Sequence, residues 1–109
     1  MTLADALVYD APGEAGEAHW NDEAKALIAG LILHIVASEP PATRTLATLR
    51  DHLTLAPQGF AALLADMQAQ GGLVARAANR HLGKSDKEAS GVMSSAQRHT
   101  HFLDSPRIV

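Results

Sequence analysis

The side chains with the clearest chemical potential are six histidines, one serine–histidine pair, one glycine–lysine–serine triplet and a run of cations. His99 and His101 are two apart on an expected helix, roughly 200° around its axis, so they cannot grip one metal ion together. His34, His52 and His81 fall on three different expected helices with no paired ligand in sequence, and no metal or cofactor is expected. Ser95 and His99 stand at i, i+4, with Asp104 nearby. A serine in mid-helix makes a poor nucleophile, because the backbone donors that would stabilise an oxyanion are consumed by the helix. Gly83-Lys84-Ser85 matches the tail of a phosphate-binding loop, but Ala78 stands where the first glycine of G-x-x-x-x-G-K-[ST] belongs. A non-catalytic chain is the expectation.

Two binding patterns remain. Thr45 to Leu73 has the outline of a helix-turn-helix, yet Gln58 to Gln70 offers only glutamines and Asp66 where a DNA-reading helix needs Arg, Lys or Asn. Arg76 and Arg80 share a helix face, and Lys84 and Lys87 flank the next helix start. With no aromatic side chain interleaved for base stacking, a solvated face is the simpler account of these four.

The elements that position these residues are helical. The chain has 109 residues, 47% hydrophobic but 4% aromatic, and no cysteine. Ala and Leu dominate while Val and Ile are scarce, which favours helix over sheet. Disulfides and the usual structural zinc sites are excluded. The longest apolar stretch, Ala26 to Ala37, is too short to span a bilayer.

Trp20, Ala24, Leu27, Ile28, Leu31 and Ile35 recur at helical spacing, with Asn21 the expected N-cap and Ile32, Leu33 and Val36 widening the apolar arc. This helix is expected to be the buried centre, ending before Pro40-Pro41. Thr45 caps a short helix carrying Leu46, Leu49 and Leu53. Pro57 opens another that runs to Gly71-Gly72, and Leu73 to Leu82 forms the next. Ser85-Asp-Lys-Glu88 is a capping box for the last, lined by Val92, Met93, Ala96, Thr100 and Leu103. Ala4 to Val8 gives one or two turns before the linker Asp10 to Gly16. The expectation is all-α, an irregular bundle of five to six helices: residues 1–18 a leading helix and linker, 19–103 the domain, 104–109 an exit segment.

Charge is uneven along the chain. Residues 1–75 hold nine acids and three bases, a local charge of −6, whereas residues 76–109 hold six bases and three acids, or +3.

The run Val74-Ala-Arg-Ala-Ala-Asn-Arg-His-Leu-Gly-Lys-Ser-Asp-Lys-Glu-Ala-Ser-Gly-Val-Met-Ser-Ser-Ala-Gln-Arg-His-Thr-His-Phe-Leu-Asp-Ser-Pro-Arg107 resembles the all-α domain of TraG-type coupling proteins, the motor ATPases of conjugation and type IV secretion. Gly16-Glu-Ala-His-Trp20 and Asp22 to Ile32 resemble that domain's first long helix, while residues 1–15 and 38–72 match loosely. The resemblance implies an insert in a nucleotide-binding domain that caps the cytoplasmic mouth of a hexameric ring. Its implied partners are relaxosome or effector proteins, the parent nucleotide-binding domain and single-stranded DNA. The parent would be anchored in the bacterial inner membrane. With neither membrane helices nor ATPase motifs here, this chain reads as an excised, monomeric module whose Met1 is an added start.

On this reading Arg76, Arg80, Lys84, Lys87 and Arg98 are the candidate partner or DNA contacts. Ser85, Asp86, Glu88, Gln97 and His101 are the candidates for docking to the motor domain, where residues 104–109 would return as a strand.

Overall fold

A computed structural model describes residues 18–104, and over this span the fold is all-α. Five α-helices follow one another: α1 (Ala18–Ser38), α2 (Leu46–Leu53), α3 (Pro57–Gln70), α4 (Gly72–Leu82) and α5 (Asp86–Thr100). Short 3₁₀ turns occupy Pro41–Thr43 and His101–Asp104. The expected helix at Ala4 to Val8 and the exit segment beyond Asp104 lie outside the described residues. Among those described, no helix is long and apolar enough to cross a membrane.

The helix ends follow local chemistry. Thr45 accepts the Thr48 backbone N–H at 3.2 Å, and Ser85 accepts that of Glu88 at 3.2 Å, each satisfying a donor that the first turn leaves free. Pro57 opens α3, its missing N–H costing nothing there. Between α3 and α4 the chain turns within two residues, Gly71 at φ 73° and Gly72 at φ 61°, a left-handed backbone that glycine alone adopts without a steric penalty.

α1 packs against α2, α4 and α5, and α4 packs against α3. Ala24, Leu27, Ile28, Leu31 and Ile35 of α1 join Leu49, Leu53, Phe60, Leu64, Met67, Ala78, Val92 and Ala96 in one buried cluster. Close approach is achieved by small residues. A Cβ on Gly30 would overlap that of Ala77 in α4, and one on Gly91 would stand 3.1 Å from the Trp20 ring.

Two expectations about α1 are corrected. Asn21 is not its N-cap: the helix already begins at Ala18, and Asn21 is fully buried with its Oδ1 accepting the Ser95 hydroxyl at 2.7 Å. Packing of Trp20 on Gly91 places residue 20 inside the helical interface, so the helix starts upstream of it. Nor is α1 buried all round. Leu33 and Val36 are 43% and 54% exposed, because the other helices cover only the side of α1 that carries Leu27, Leu31 and Ile35.

Replacement of Gly30 by Ala should destabilise the domain by about 1–3 kcal/mol, since α1 and α4 must separate to admit the methyl group. Gly59→Ala should instead stabilise it by about 0.5–1 kcal/mol through helix propensity, its new Cβ resting in ordinary contact 3.6 Å from Leu55. Urea unfolding of the two variants beside the parent chain measures both effects.

Candidate functional site

The basic run divides into two groups once folded. Arg80 donates from Nε to Glu23 Oε1 at 2.9 Å and from Nη2 to Oε2 at 2.5 Å, forming a two-pronged clamp between α4 and α1. Lys84 Nζ lies 2.6 Å from Glu23 Oε1 and also donates to the Arg80 carbonyl at 2.9 Å. Hydrogen bonding from Arg80, reinforced by Lys84, outweighs partial burial and holds the Glu23 carboxyl at a pKa of about 2. Arg80 and Lys84 are thus structural ties. Arg76, Lys87 and Arg98 are exposed.

A second node rests on Arg50, whose role sequence reasoning missed. Its residue is only 9% exposed. Nε donates to Asp104 Oδ1 at 2.9 Å and Nη2 to Oδ2 at 3.0 Å; Nη1 donates to the Gln97 carbonyl at 2.9 Å and to Thr100 Oγ1 at 3.2 Å. The guanidinium lowers the Asp104 pKa below the usual carboxylate range. One signal was available: Leu46, Leu49, Arg50 and Leu53 share one face of α2, so a cation sits on the buried stripe.

The residues expected to dock on a motor domain are scattered among roles in this fold. Ser85 caps α5, and Asp86 and Glu88 lie in its first turn, where the helix dipole favours acids. Gln97 donates from Nε2 to the Leu53 carbonyl at 2.8 Å, joining α5 to α2. His101 is exposed, with Nδ1 3.6 Å from Asp104 Oδ2. The Ser95 hydroxyl is turned into the Asn21 bond, while His99 Nδ1 meets the Ser95 backbone carbonyl at 2.9 Å rather than the hydroxyl.

An apolar groove of about 590 Å³ opens between α3 and α5, with the end of α4 along one side. Phe60, Leu64, His81 and Met93 line it, and Leu55 and Leu82 stand on it 41% and 49% exposed. His81 packs edge-on to Phe60 with ring centres 5.7 Å apart. Lys84 and Asp86 are the only charged residues lining it, and Lys84 is already paired with Glu23. Reading each helix separately could not reveal this groove, because its walls come from four of them.

Histidines separated in sequence also meet. His34 and His52 have ring centres 6.0 Å apart. Burial lowers the pKa of both His52 and His81, and buried ring nitrogens of each, Nε2 and Nδ1 respectively, have no hydrogen-bond partner. Among the described residues no group of three or more His, Cys, Asp and Glu could hold a metal ion. No family model, curated protein or solved structure matches the chain.

Arg50→Met should cost about 2–3 kcal/mol by leaving the Gln97 carbonyl and the Asp104 carboxylate without their donor, and Arg50→Lys should not restore the two-pronged contact. Denaturant melts of both variants test this. Stability should also fall with acid in two stages. His52 and His81 have folded pKa values below the ordinary 6.5, so stability present above that pH is lost as it falls through their lowered values. The Glu23 contribution, full above pH 4.5, is lost as pH falls towards 2. Unfolding midpoints from pH 8 to 2 measure both stages, and His52→Gln should reduce the first.

Proposed function

We propose that this domain is a non-catalytic docking module of a TraG-type coupling ATPase, receiving relaxosome or effector proteins at the cytoplasmic mouth of the parent's hexameric motor. The observation that carries the reading is the largely apolar groove between α3 and α5, with Leu55 and Leu82 exposed along it. An open cleft with large apolar side chains and few polar groups suits the side chains of a protein segment, because burying them there removes apolar surface from water on both partners. The resemblance over Val74 to Arg107 supports this assignment, since that run supplies two of the groove's walls.

Direct contact with the transferred DNA strand is the competing reading. Its candidate cations are reduced by the Glu23 clamp, whose single carboxylate offsets one of the two charges on Arg80 and Lys84; Arg76, Lys87 and Arg98 are exposed. Ser85, Glu88 and His101 are assigned in this proposal to the seam with the parent nucleotide-binding domain, whereas Asp86 and Gln97, expected there too, line the groove instead.

Fluorescence titration of the chain with relaxosome proteins and effector tails should show saturable binding that Leu55→Arg and Leu82→Arg each weaken tenfold or more. Both positions are exposed, so the fold tolerates the change. Absence of binding to all of these proteins, or binding indifferent to both substitutions, overturns the proposal. Salt-dependent retardation of single-stranded DNA, abolished by Arg76→Glu with Lys87→Glu, would establish the DNA reading in its place.

A further inference from the structure

A second, smaller cleft of about 260 Å³ lies between the C-terminal half of α1 and the start of α2, and it shares no residue with the groove. Buried Ile35 and Leu49, half-buried Ile32 and Leu46 and exposed Val36 give it aliphatic walls. Its polar lining is Arg44 and Thr45, both in the connection that leads into α2. The Thr45 hydroxyl is committed to capping that helix. Arg44 donates from Nε to the Glu39 carbonyl at 2.9 Å, and its Nη atoms make no hydrogen bond or ion pair with the described residues. Glu39, the acid of the same connection, is not part of the lining, and its carboxylate accepts the Thr43 hydroxyl at 2.9 Å. An aliphatic cleft therefore carries one positive charge, at the end where the chain enters α2.

This lining sets the chemistry of what fits. One guanidinium matches a monoanion, and the two oxygens of a carboxylate match the pair of N–H groups along the Nη1–Nη2 edge that the Nε contact leaves over. The walls match an aliphatic chain. At ~30 Å³ for each water-sized unit the cleft holds roughly nine, the bulk of a chain of roughly eight carbons. A helix about 10 Å across with its side chains is too wide for it. An extended peptide would lay backbone N–H and C=O groups against aliphatic walls that offer them no partner.

We propose that this cleft binds a medium-chain aliphatic monocarboxylate. The chain lies against the Ile, Val and Leu side chains of α1 and α2, where its burial removes apolar surface from water on both partners. The carboxylate accepts from the two Nη groups of Arg44. The start of α2 stands at the same end of the cleft, and its dipole adds to the attraction for a negative head. Because the cleft and the groove have no residue in common, this site stands or falls separately from the docking of a protein segment between α3 and α5.

Titration of the full chain with sodium octanoate at neutral pH and low salt, followed by NMR of the backbone amides, tests the site. Saturable shifts should be confined to residues 32–36 and 44–49, with one equivalent bound. Hexanoate should bind at least threefold more weakly, since it buries two methylenes fewer. Arg44→Glu, at an exposed position, should weaken octanoate at least fivefold and strengthen binding of octylammonium, the same chain with the opposite charge. A merely structural role for Arg44 would weaken both. Absence of a saturable shift at millimolar octanoate, shifts centred on the α3–α5 groove, equal affinity of the parent chain for octanoate and octylammonium, or octanoate binding unchanged in Arg44→Glu overturns the proposal. Tighter binding at this cleft by a short peptide ending in leucine overturns the ligand class.

Discussion

The Arg50 guanidinium is the constraint on which the placement of the last helix depends. A core of Ala and Leu is attractive in every direction and specifies register weakly, so an Ala-rich helix can slide along its neighbour at small cost. Arg50 removes that freedom. Its planar fork fixes Asp104, the Gln97 carbonyl and Thr100 Oγ1 in one geometry, joining the middle of α2 to the end of α5 and the turn beyond it. A buried guanidinium is tolerable because its donors are occupied and because Asp104, half in water, does not have to be desolvated in full. Lysine offers a point charge without the fork and could not hold three partners in fixed directions.

Glu23 plays the corresponding part for α4. Its carboxylate receives both Arg80 of α4 and Lys84 just beyond that helix, so the acid of α1 offsets one of the two positive charges brought to it. The uneven charge along the chain is therefore partly an internal device rather than a surface for a partner. Acids early in the sequence meet bases late in it, which pins the first long helix against the C-terminal third. One positive charge of the basic run is offset in this way. This weakens the electrostatic case for nucleic acid, whose non-specific affinity grows with the number of phosphates neutralised.

What the sequence made legible was local. Proline and glycine breaks, the Thr45 and Ser85 caps and the apolar stripes all depend on residues within a turn or two of one another, and each reappears in the fold. What it hid was the pairing of residues far apart: Arg50 with Asp104 across 54 positions, Asn21 with Ser95 across 74, Arg80 with Glu23 across 57. Helical periodicity assigns a residue to a face of its own helix and is silent on which helix that face meets. Asn21 shows the cost most directly. Its type and its place ahead of two acids fit an N-cap, yet tertiary packing of Trp20 carries the helix past it and makes it an interior polar contact. The groove was hidden for the same reason, since Leu55, Leu82 and Met93 are unremarkable until the packed helices place them along one cleft.

Lys84 connects the two halves of the molecule. It lines the groove, and through Glu23 it belongs to the clamp that holds α4 on α1. His81, one helical turn back, also lines the groove and packs on Phe60, and its pKa is lowered by burial and by the charge on Lys84. The groove wall at Lys84 is therefore tied to α1 through Glu23, while His81 beside it is tied to α3 through Phe60. Gly30 and Gly91 hold α1 close to its neighbours, the first by admitting Ala77 of α4 and the second by letting α5 lie against the Trp20 ring of α1.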